Sequence, residues 1–147
     1  MYITLFFTLL TLFIHPISAK PPECYFEIER TFLNPYYVIQ AFSLNRIIYQ
    51  GAWNGIVGQL NTNAKRIPMM VKQRASKMNP NPFNDPFQPK EAGEVFEKVV
   101  VEVLTMTLGP YEIVSPPQIQ KIFNYVREQQ QNKWNACFGE EESAKNH

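Results

Sequence analysis

The first long apolar stripe of the chain predicts a largely buried helix. Asn34 suits the N-cap, and Pro35 suits the first helical position, where a backbone N–H is not needed. Gly51, Gly55 and Gly58 interrupt the second half of the stripe, and each costs up to about 1 kcal/mol relative to alanine in a helix, so we expect a break near them. The stripe recurs at helical spacing and comprises Val38, Ala41, Phe42, Ile48, Ala52, Trp53, Ile56 and Leu60.

A second, shorter helix is predicted from Pro68 to Met78, after the polar run 61–63. Its outer side carries Lys72 and Lys77. The methionines are interpreted as gap-fillers of a core, and an adaptable methionine-rich binding surface is the alternative. The apolar side of this helix comprises Ile67, Met70, Val71, Ala75 and Met78.

Two stretches fall outside the helical pattern. Residues 24–28 form a short apolar segment that fits either a strand or an arm laid on the core, and both remain open. Residues 79–89 carry prolines so densely that neither a helix nor a central strand can continue, so we expect a stiff connector. Its two phenylalanines, Phe83 and Phe87, either pack inward or face a partner.

The third helix is predicted to begin at Pro89 and to stop at Gly109, which a proline follows. Glu91 and Glu94 lie in its first turns, where carboxylates suit the positive end of the helix dipole. The valine-rich run also fits a strand, because β-branched residues favour strands. A strand over residues 98–107 is therefore the alternative, and it would make the fold α+β.

The last helix has the clearest start in the chain. Ser115 is the predicted N-cap, Pro116 fits the first helical position, and Gln118 completes a capping box. Gly139 is placed to end the helix. The fold predicted is therefore mainly α, a single-domain bundle of about four helices. The apolar stripe of the last one comprises Ile119, Ile122, Phe123, Val126, Trp134 and Cys137.

The N-terminal residues 1–19 have the pattern of a secretory signal peptide, with an apolar run over 5–14 and the small residue Ala19 at the cleavage position. An uncleaved anchor is the alternative, but a membrane span needs roughly 20 apolar residues and this run is about half as long. We expect a secreted, extracellular protein whose single domain covers 20–139. Residues 140–147 read as a flexible acidic tail.

The chain has two cysteines, Cys24 and Cys137. Secretion exposes them to an oxidising compartment, so one long-range disulfide between them is predicted, and an intermolecular bridge is the alternative. Two cysteines without histidines cannot complete a tetrahedral zinc site, so no metal is expected.

Histidine is absent from the predicted domain, since the only two are His15 and His147. This excludes Ser-His-Asp and Cys-His catalysis and most histidine metal sites there. No glycine pattern matches a phosphate loop or a dinucleotide fingerprint. We therefore expect no cofactor, no catalytic residue and no enzyme activity. The remaining option is a pair of carboxylates of the glycosidase kind, for which Glu91, Glu94, Glu97 and Glu102 are available.

Total charge is nearly balanced, with 14 Lys and Arg against 13 Asp and Glu, so nothing global favours nucleic acid or a membrane. Locally, no acidic residue occurs between Arg46 and Met78, and the following helix is acidic. The two charge sets either complement each other across a helix seam or leave a site for an anionic glycan or lipid headgroup. The basic strip comprises Lys65, Arg66, Lys72, Arg74 and Lys77.

Two short motifs occur in the connector and form a candidate exposed motif. The tripeptide Asn81, Pro82, Phe83 resembles the Asn-Pro-Phe motif that EH domains bind. The tripeptide Asp85, Pro86, Phe87 resembles the Asp-Pro-Phe motif that clathrin-adaptor appendages bind. Both receptors are cytosolic, so an endocytic role would require that the secretory prediction fail.

These patterns together predict a secreted, non-enzymatic interaction or signalling protein that acts through a surface patch. Its partner would be an extracellular protein, or an anionic glycan or lipid. The alternative is an extracellular carrier that encloses a small apolar ligand. No nucleic-acid partner and no membrane-spanning segment after signal cleavage are expected.

Overall fold

A computed structural model describes residues 21–45, 52–111 and 115–139, so the predicted leader, the predicted tail and Gly51 lie outside the described residues. Within these ranges the chain forms α-helices and no strand, which confirms the mainly α fold. About four helices were predicted, and seven are described. They are α1 (Glu23–Thr31), α2 (Pro35–Asn45), α3 (Trp53–Ala64), α4 (Ile67–Ser76), α5 (Pro89–Leu108), α6 (Pro116–Gln129) and α7 (Gln131–Phe138), with a 3-10 turn at Gly109–Tyr111.

Helix α1 covers the stretch for which the sequence suggested a strand or an arm laid on the core. The strand is wrong, and the segment lies on the core as a helix. Pro22 precedes the helix in an extended conformation, and its carbonyl oxygen accepts a hydrogen bond from the Tyr25 N–H at 2.9 Å. Tyr25, Ile28 and Phe32 are buried at helical spacing. Burial of this narrow stripe, which is tertiary information, outweighs the strand preference of the aromatic residues.

The break predicted near the glycines does not occur at Gly55 or Gly58, and at Gly51 it stays a prediction because that residue lies outside the described residues. Gly55 and Gly58 both lie inside the continuous helix α3. The Asn34 cap, in contrast, is confirmed, because its Oδ1 atom accepts a hydrogen bond from the Tyr36 N–H at 2.9 Å. Tertiary packing of Ile56 and Leu60, both fully buried, offsets the low helix propensity of the two glycines.

The polar run 61–63, predicted to separate two helices, belongs to α3 instead. Asn63 is buried, and its Nδ2 atom donates to Thr107 Oγ1 at 3.1 Å. Thr107 in turn donates to the Val103 carbonyl oxygen at 2.8 Å. A buried amide needs such a partner, so this pair fixes α3 against α5.

Helix α5 is the centre of the fold and packs against α3, α4, α6 and α7. It begins at Pro89, as predicted, and the strand alternative over 98–107 is wrong. Val99, Val100 and Val103 are fully buried on its inner side. Because β-branching lowers helix propensity only slightly, the packing of these buried valines is enough to keep the segment helical. Gly93 allows close approach of α7, since a Cβ atom there would lie 3.2 Å from Phe138 Cβ.

The last predicted helix is two helices, α6 and α7, which meet at Gln130. Gln130 is buried, and its Nε2 atom donates to the Phe32 carbonyl oxygen at 2.8 Å. This long-range hydrogen bond accompanies the break. Pro116 and Gly139 confirm the predicted bounds, but the capping box is wrong, because Ser115 makes no side-chain cap hydrogen bond.

A disulfide joins Cys24 on α1 to Cys137 on α7, as predicted, with the Cα atoms 5.3 Å apart. Beside it lies an aromatic core in which neighbouring ring centroids are separated by 4.7 to 6.0 Å. Such tilted and edge-on contacts add to the stability gained from burial. The aromatic core comprises Phe32, Phe96, Phe123, Trp134 and Phe138.

Candidate binding cleft between α1 and α4

Two adjoining depressions border α1 and the start of α4, and both are lined by Glu29 and Pro68. The first lies between α1 and α4, and the second is also bordered by α2 and α3. We call the pair the α1–α4 cleft. The aromatic pocket has a volume of about 330 Å³ and is lined by Pro21, Tyr25, Phe26, Glu29, Pro68, Val71, Lys72, Ala75, Asn81, Phe83 and Asn84. The polar compartment has a volume of about 620 Å³ and is lined by Glu29, Arg30, Thr31, Leu33, Asn34, Pro35, Asn61, Ala64, Lys65 and Pro68.

The cleft exists because its two walls pack on different neighbours. Helix α1 packs on α7, whereas α4 packs on α5. Direct contact between α1 and α4 is slight among the described helices. The space left between them opens to solvent, and Phe83 of the connector lines its far end.

The aromatic pocket has an apolar floor and an exposed aromatic rim. Tyr25 is only 4% exposed, and its ring centroid lies 4.8 Å from that of Phe83. Val71 and Ala75 contribute apolar surface from α4. Phe26 remains 47% exposed at the rim. Concave apolar surface with an exposed aromatic side chain beside it is typical of a binding site.

Glu29 stands where the two compartments meet and interacts with Tyr25. Burial, and then a hydrogen bond to Glu29 and the charge of that carboxylate, raise the pKa of the Tyr25 phenol well above its ordinary value. In this hydrogen bond the neutral phenol donates and the Glu29 carboxylate accepts. Among the described residues that line the cleft, Glu29 carries the only carboxylate, and this interaction holds it.

The lining of the cleft carries more positive than negative charge. Arg30 comes from the last turn of α1, Lys65 follows α3, and Lys72 comes from α4. Glu29 is the single acidic residue among the lining side chains. Three cations around one carboxylate give the cleft a positive potential that favours an anionic group.

The structure divides the basic strip between different faces. Lys65 and Lys72 line the cleft, whereas Arg66 and Lys77 are exposed outside it. Arg74 forms an ion pair with Glu102 of α5. Lys72 and Arg74 are two residues apart on α4 and therefore lie on different sides of that helix. Charge complementarity across the α4–α5 seam, one of the two interpretations of the sequence, thus holds for Arg74.

The candidate exposed motif needs a correction, because Phe83 is buried with 7% exposure. Pro82 is also buried and Phe87 is half-buried, while Asp85 and Pro86 are exposed. The Phe83 N–H donates to Asn81 Oδ1 at 2.9 Å, which forms a tight local turn. Of the two alternatives for the connector phenylalanines, Phe83 takes the inward one and forms part of the pocket.

The glutamates considered for carboxylate chemistry lie along α5, away from the α1–α4 cleft. Glu97 lies 3.5 Å from Arg127 Nη1, and Glu102 pairs with Arg74. Glu94 is exposed on α5. None of them lines either compartment of the α1–α4 cleft.

Sequence reasoning missed the α1 wall of the cleft, namely Tyr25, Phe26, Glu29 and Arg30. These residues belong to a segment that was not recognised as a helix. The spacing of Tyr25 and Glu29 at i and i+4 was the signal available, because such pairs meet on a helix surface.

No protein-family model, curated protein or solved structure matches the chain. In ranges 21–45, 52–111 and 115–139, no helix is long and apolar enough to cross a membrane. The same ranges contain no group of three or more metal-ligating side chains. Function is therefore inferred from the chemistry of the cleft.

Proposed function

We propose that this protein is a secreted, non-catalytic recognition protein that holds a segment of another extracellular protein in the α1–α4 cleft. The observation that carries the proposal is the aromatic pocket, with buried Tyr25 at its floor and half-exposed Phe26 at its rim, next to a basic compartment. Aromatic anchors beside a polar rim are the usual anatomy of recognition surfaces.

Secretion is supported by the disulfide between Cys24 and Cys137. Such bridges form and persist in oxidising compartments and are rare in the cytosol. An extracellular location also fits the leader pattern of residues 1–19. The endocytic motifs receive less support, since the first of them ends in the buried Phe83.

A carrier of a small apolar ligand is the second candidate, and the apolar lining of the aromatic pocket favours it. Its volume of about 330 Å³ lies at the lower end of the roughly 300 to 1,000 Å³ usual for ligand pockets. Interaction is preferred because the pocket is open and adjoins a polar compartment. An anionic glycan is less favoured, because the ion pair of Arg74 with Glu102 interrupts the basic strip.

The experiment is site-specific photo-crosslinking in extracellular fluid of the source tissue. A benzophenone amino acid replaces Phe26 at the pocket rim or, as a matched control, Tyr36, which is 62% exposed and outside the cleft. We expect a discrete adduct from position 26 and none from position 36. In the same background, Lys72→Glu should abolish the adduct, and Lys77→Glu should leave it.

Equal adducts from positions 26 and 36, or equal effects of the two lysine reversals, would contradict recognition by the cleft. Native mass spectrometry of the purified protein separates the second candidate. A retained small apolar ligand that Phe83→Ala releases would favour the carrier, and a bare protein that still forms the adduct would favour recognition.

A further inference from the structure

We infer that the segment held in the cleft is a short extended peptide with one apolar and one acidic side chain. The apolar side chain would enter the aromatic pocket, and the carboxylate would enter the polar compartment near Arg30 and Lys65. This inference rests on the proposed function and names the chemistry of its partner.

The two compartments are contiguous, and together they are long enough to hold a short extended peptide. Both are lined by Pro68, from which the aromatic pocket continues along α4 to Ala75. Seven residues of helix rise by about 10 Å, and extended peptide covers about 3.3 Å per residue. A ligand that reaches from the pocket past Pro68 therefore places its two side chains roughly three residues apart.

Two of the three cations of the cleft lie in the polar compartment. Arg30 and Lys65 approach the polar compartment from α1 and from the end of α3. Two cations from separate elements suit one carboxylate, and the arginine guanidinium can bind it through two parallel hydrogen bonds. Among its lining residues the aromatic pocket has one cation, Lys72, and one anion, Glu29. It therefore attracts a ligand carboxylate less strongly than the polar compartment does.

Glu29 lies where the two compartments meet. Its carboxylate accepts from the Tyr25 phenol and still carries negative charge. An acidic ligand group close to the junction is repelled, which directs that group toward Arg30. Because Glu29 lines both compartments, it weakens the binding of acidic ligands in either of them.

The amide side chains of the cleft favour a peptide over a lipid. Amide side chains occur in both compartments, with Asn34 and Asn61 in one and Asn81 and Asn84 in the other. The Oδ1 atoms of Asn34 and Asn81 already accept backbone hydrogen bonds, so these two offer their Nδ2 donors, whereas Asn61 and Asn84 also offer acceptors; together they match the groups of a peptide backbone. An acyl chain would desolvate them without offering hydrogen bonds, which is costly. The lining therefore favours a peptide.

The test is an NMR titration of the isotope-labelled secreted protein with its disulfide intact. The probes are three N-acetylated, C-amidated tetrapeptides: Phe-Gly-Gly-Glu, Phe-Gly-Gly-Gln and Ala-Gly-Gly-Glu. We expect the first to shift signals of Phe26, Val71 and Ala75. The glutamine probe should bind about threefold more weakly, and the alanine probe about tenfold more weakly.

Variants assign the carboxylate. Arg30→Gln and Lys65→Gln should each weaken the glutamate probe toward the glutamine probe, whose own affinity should not change. Glu29→Gln should strengthen the glutamate probe. Lys77→Gln, an exposed lysine outside the cleft, is the matched control and should change neither.

Equal affinities for the glutamate and glutamine probes would overturn the inference, as would shifts confined to residues outside the cleft. Tighter binding of decanoate than of any peptide would replace the peptide by a lipid. If no probe binds while the Phe26 adduct persists, the peptide chemistry is wrong and the proposed function stands. Loss of both would overturn both.

Discussion

Helix α1 meets α7 and α4 in opposite ways. Toward α7 it is held by the Cys24–Cys137 disulfide and by the contact of Phe32 with Trp134, whose ring centroids lie 5.7 Å apart. Toward α4 it leaves a cleft with an exposed aromatic rim. In this bundle of short helices, the candidate recognition surface lies where two neighbouring helices pack mainly on different partners, α1 on α7 and α4 on α5. We call the two regions the closed side and the cleft side.

Helix α4 shows the same contrast within ten residues. Its apolar stripe, which includes Val71 and Ala75, is buried, and Arg74 pairs with Glu102 on α5. Lys72 belongs to the cleft side. Charge of the same sign thus serves the fold at one position and is available for a partner two residues away.

The largest effect is expected from removing the disulfide with the double substitution Cys24→Ser and Cys137→Ser. The bridge spans a sequence separation of 113 residues, and the chain-entropy model gives a loss of roughly 4 to 5 kcal/mol in the free energy of unfolding. Denaturant unfolding measures it. Release of α1 should also abolish the Phe26 adduct in protein that is still folded. An adduct that survives would show that the cleft side does not depend on the closed side.

The next effect concerns the seam between α3 and α5, which is part of neither the closed side nor the cleft side. Thr107→Val removes the acceptor of Asn63 Nδ2, and a buried donor without a partner costs about 1 to 3 kcal/mol. Thr105→Val, on the exposed side of the same helix, should stay within about 0.5 kcal/mol. Thermal and denaturant unfolding compare the two, and the Phe26 adduct should persist in both. Equal losses would contradict a special role for the Asn63 pair.

A smaller effect is expected on the pH dependence of stability, through the buried phenol of Tyr25. Its raised pKa means that the unfolded chain loses this proton near pH 10 while the folded chain keeps it. Stability is therefore fully present below about pH 10 and falls above it by up to about 1.4 kcal/mol per pH unit. Tyr25→Phe should remove that component from the pH dependence of unfolding. The control Tyr36→Phe, at an exposed site, should retain it.

The smallest effect on stability separates the two faces of α4. Arg74→Gln should cost less than about 1 kcal/mol, because the pair with Glu102 is well exposed, at 38% and 45%. Lys72→Gln should leave stability unchanged and reduce the Phe26 adduct. A binding defect in the Arg74 variant equal to that of the Lys72 variant would erase the distinction between the faces.

Helix starts and stops were predictable where local chemistry decides them. Pro35, Pro89 and Pro116 each begin a helix, and Gly139 ends one with φ 80°. The break at Gln130 was not predictable, because neither glycine nor proline marks it and its hydrogen bond goes to Phe32, 98 residues away. The residues near Gln130 in sequence do not indicate which distant residue it will contact, so they do not predict this break.

The candidate site was predictable only on its α4 wall. Lys65 and Lys72 stood out as part of a run without acidic residues. Arg30 did not, because it reaches the cleft from a segment far away in sequence. Phe83 was identified with both of its alternatives, and only packing against Tyr25 decides between them.

The Cys24–Cys137 bridge has a topological consequence as well as an energetic one. Because the two Cα atoms are 5.3 Å apart, the polypeptide enters and leaves the folded unit at nearly the same point. A unit with adjacent ends can be inserted into an exposed loop of a host protein without forcing the loop apart. The helical unit would then form a separate domain beside the host, and the disulfide would hold its two connections to the host together.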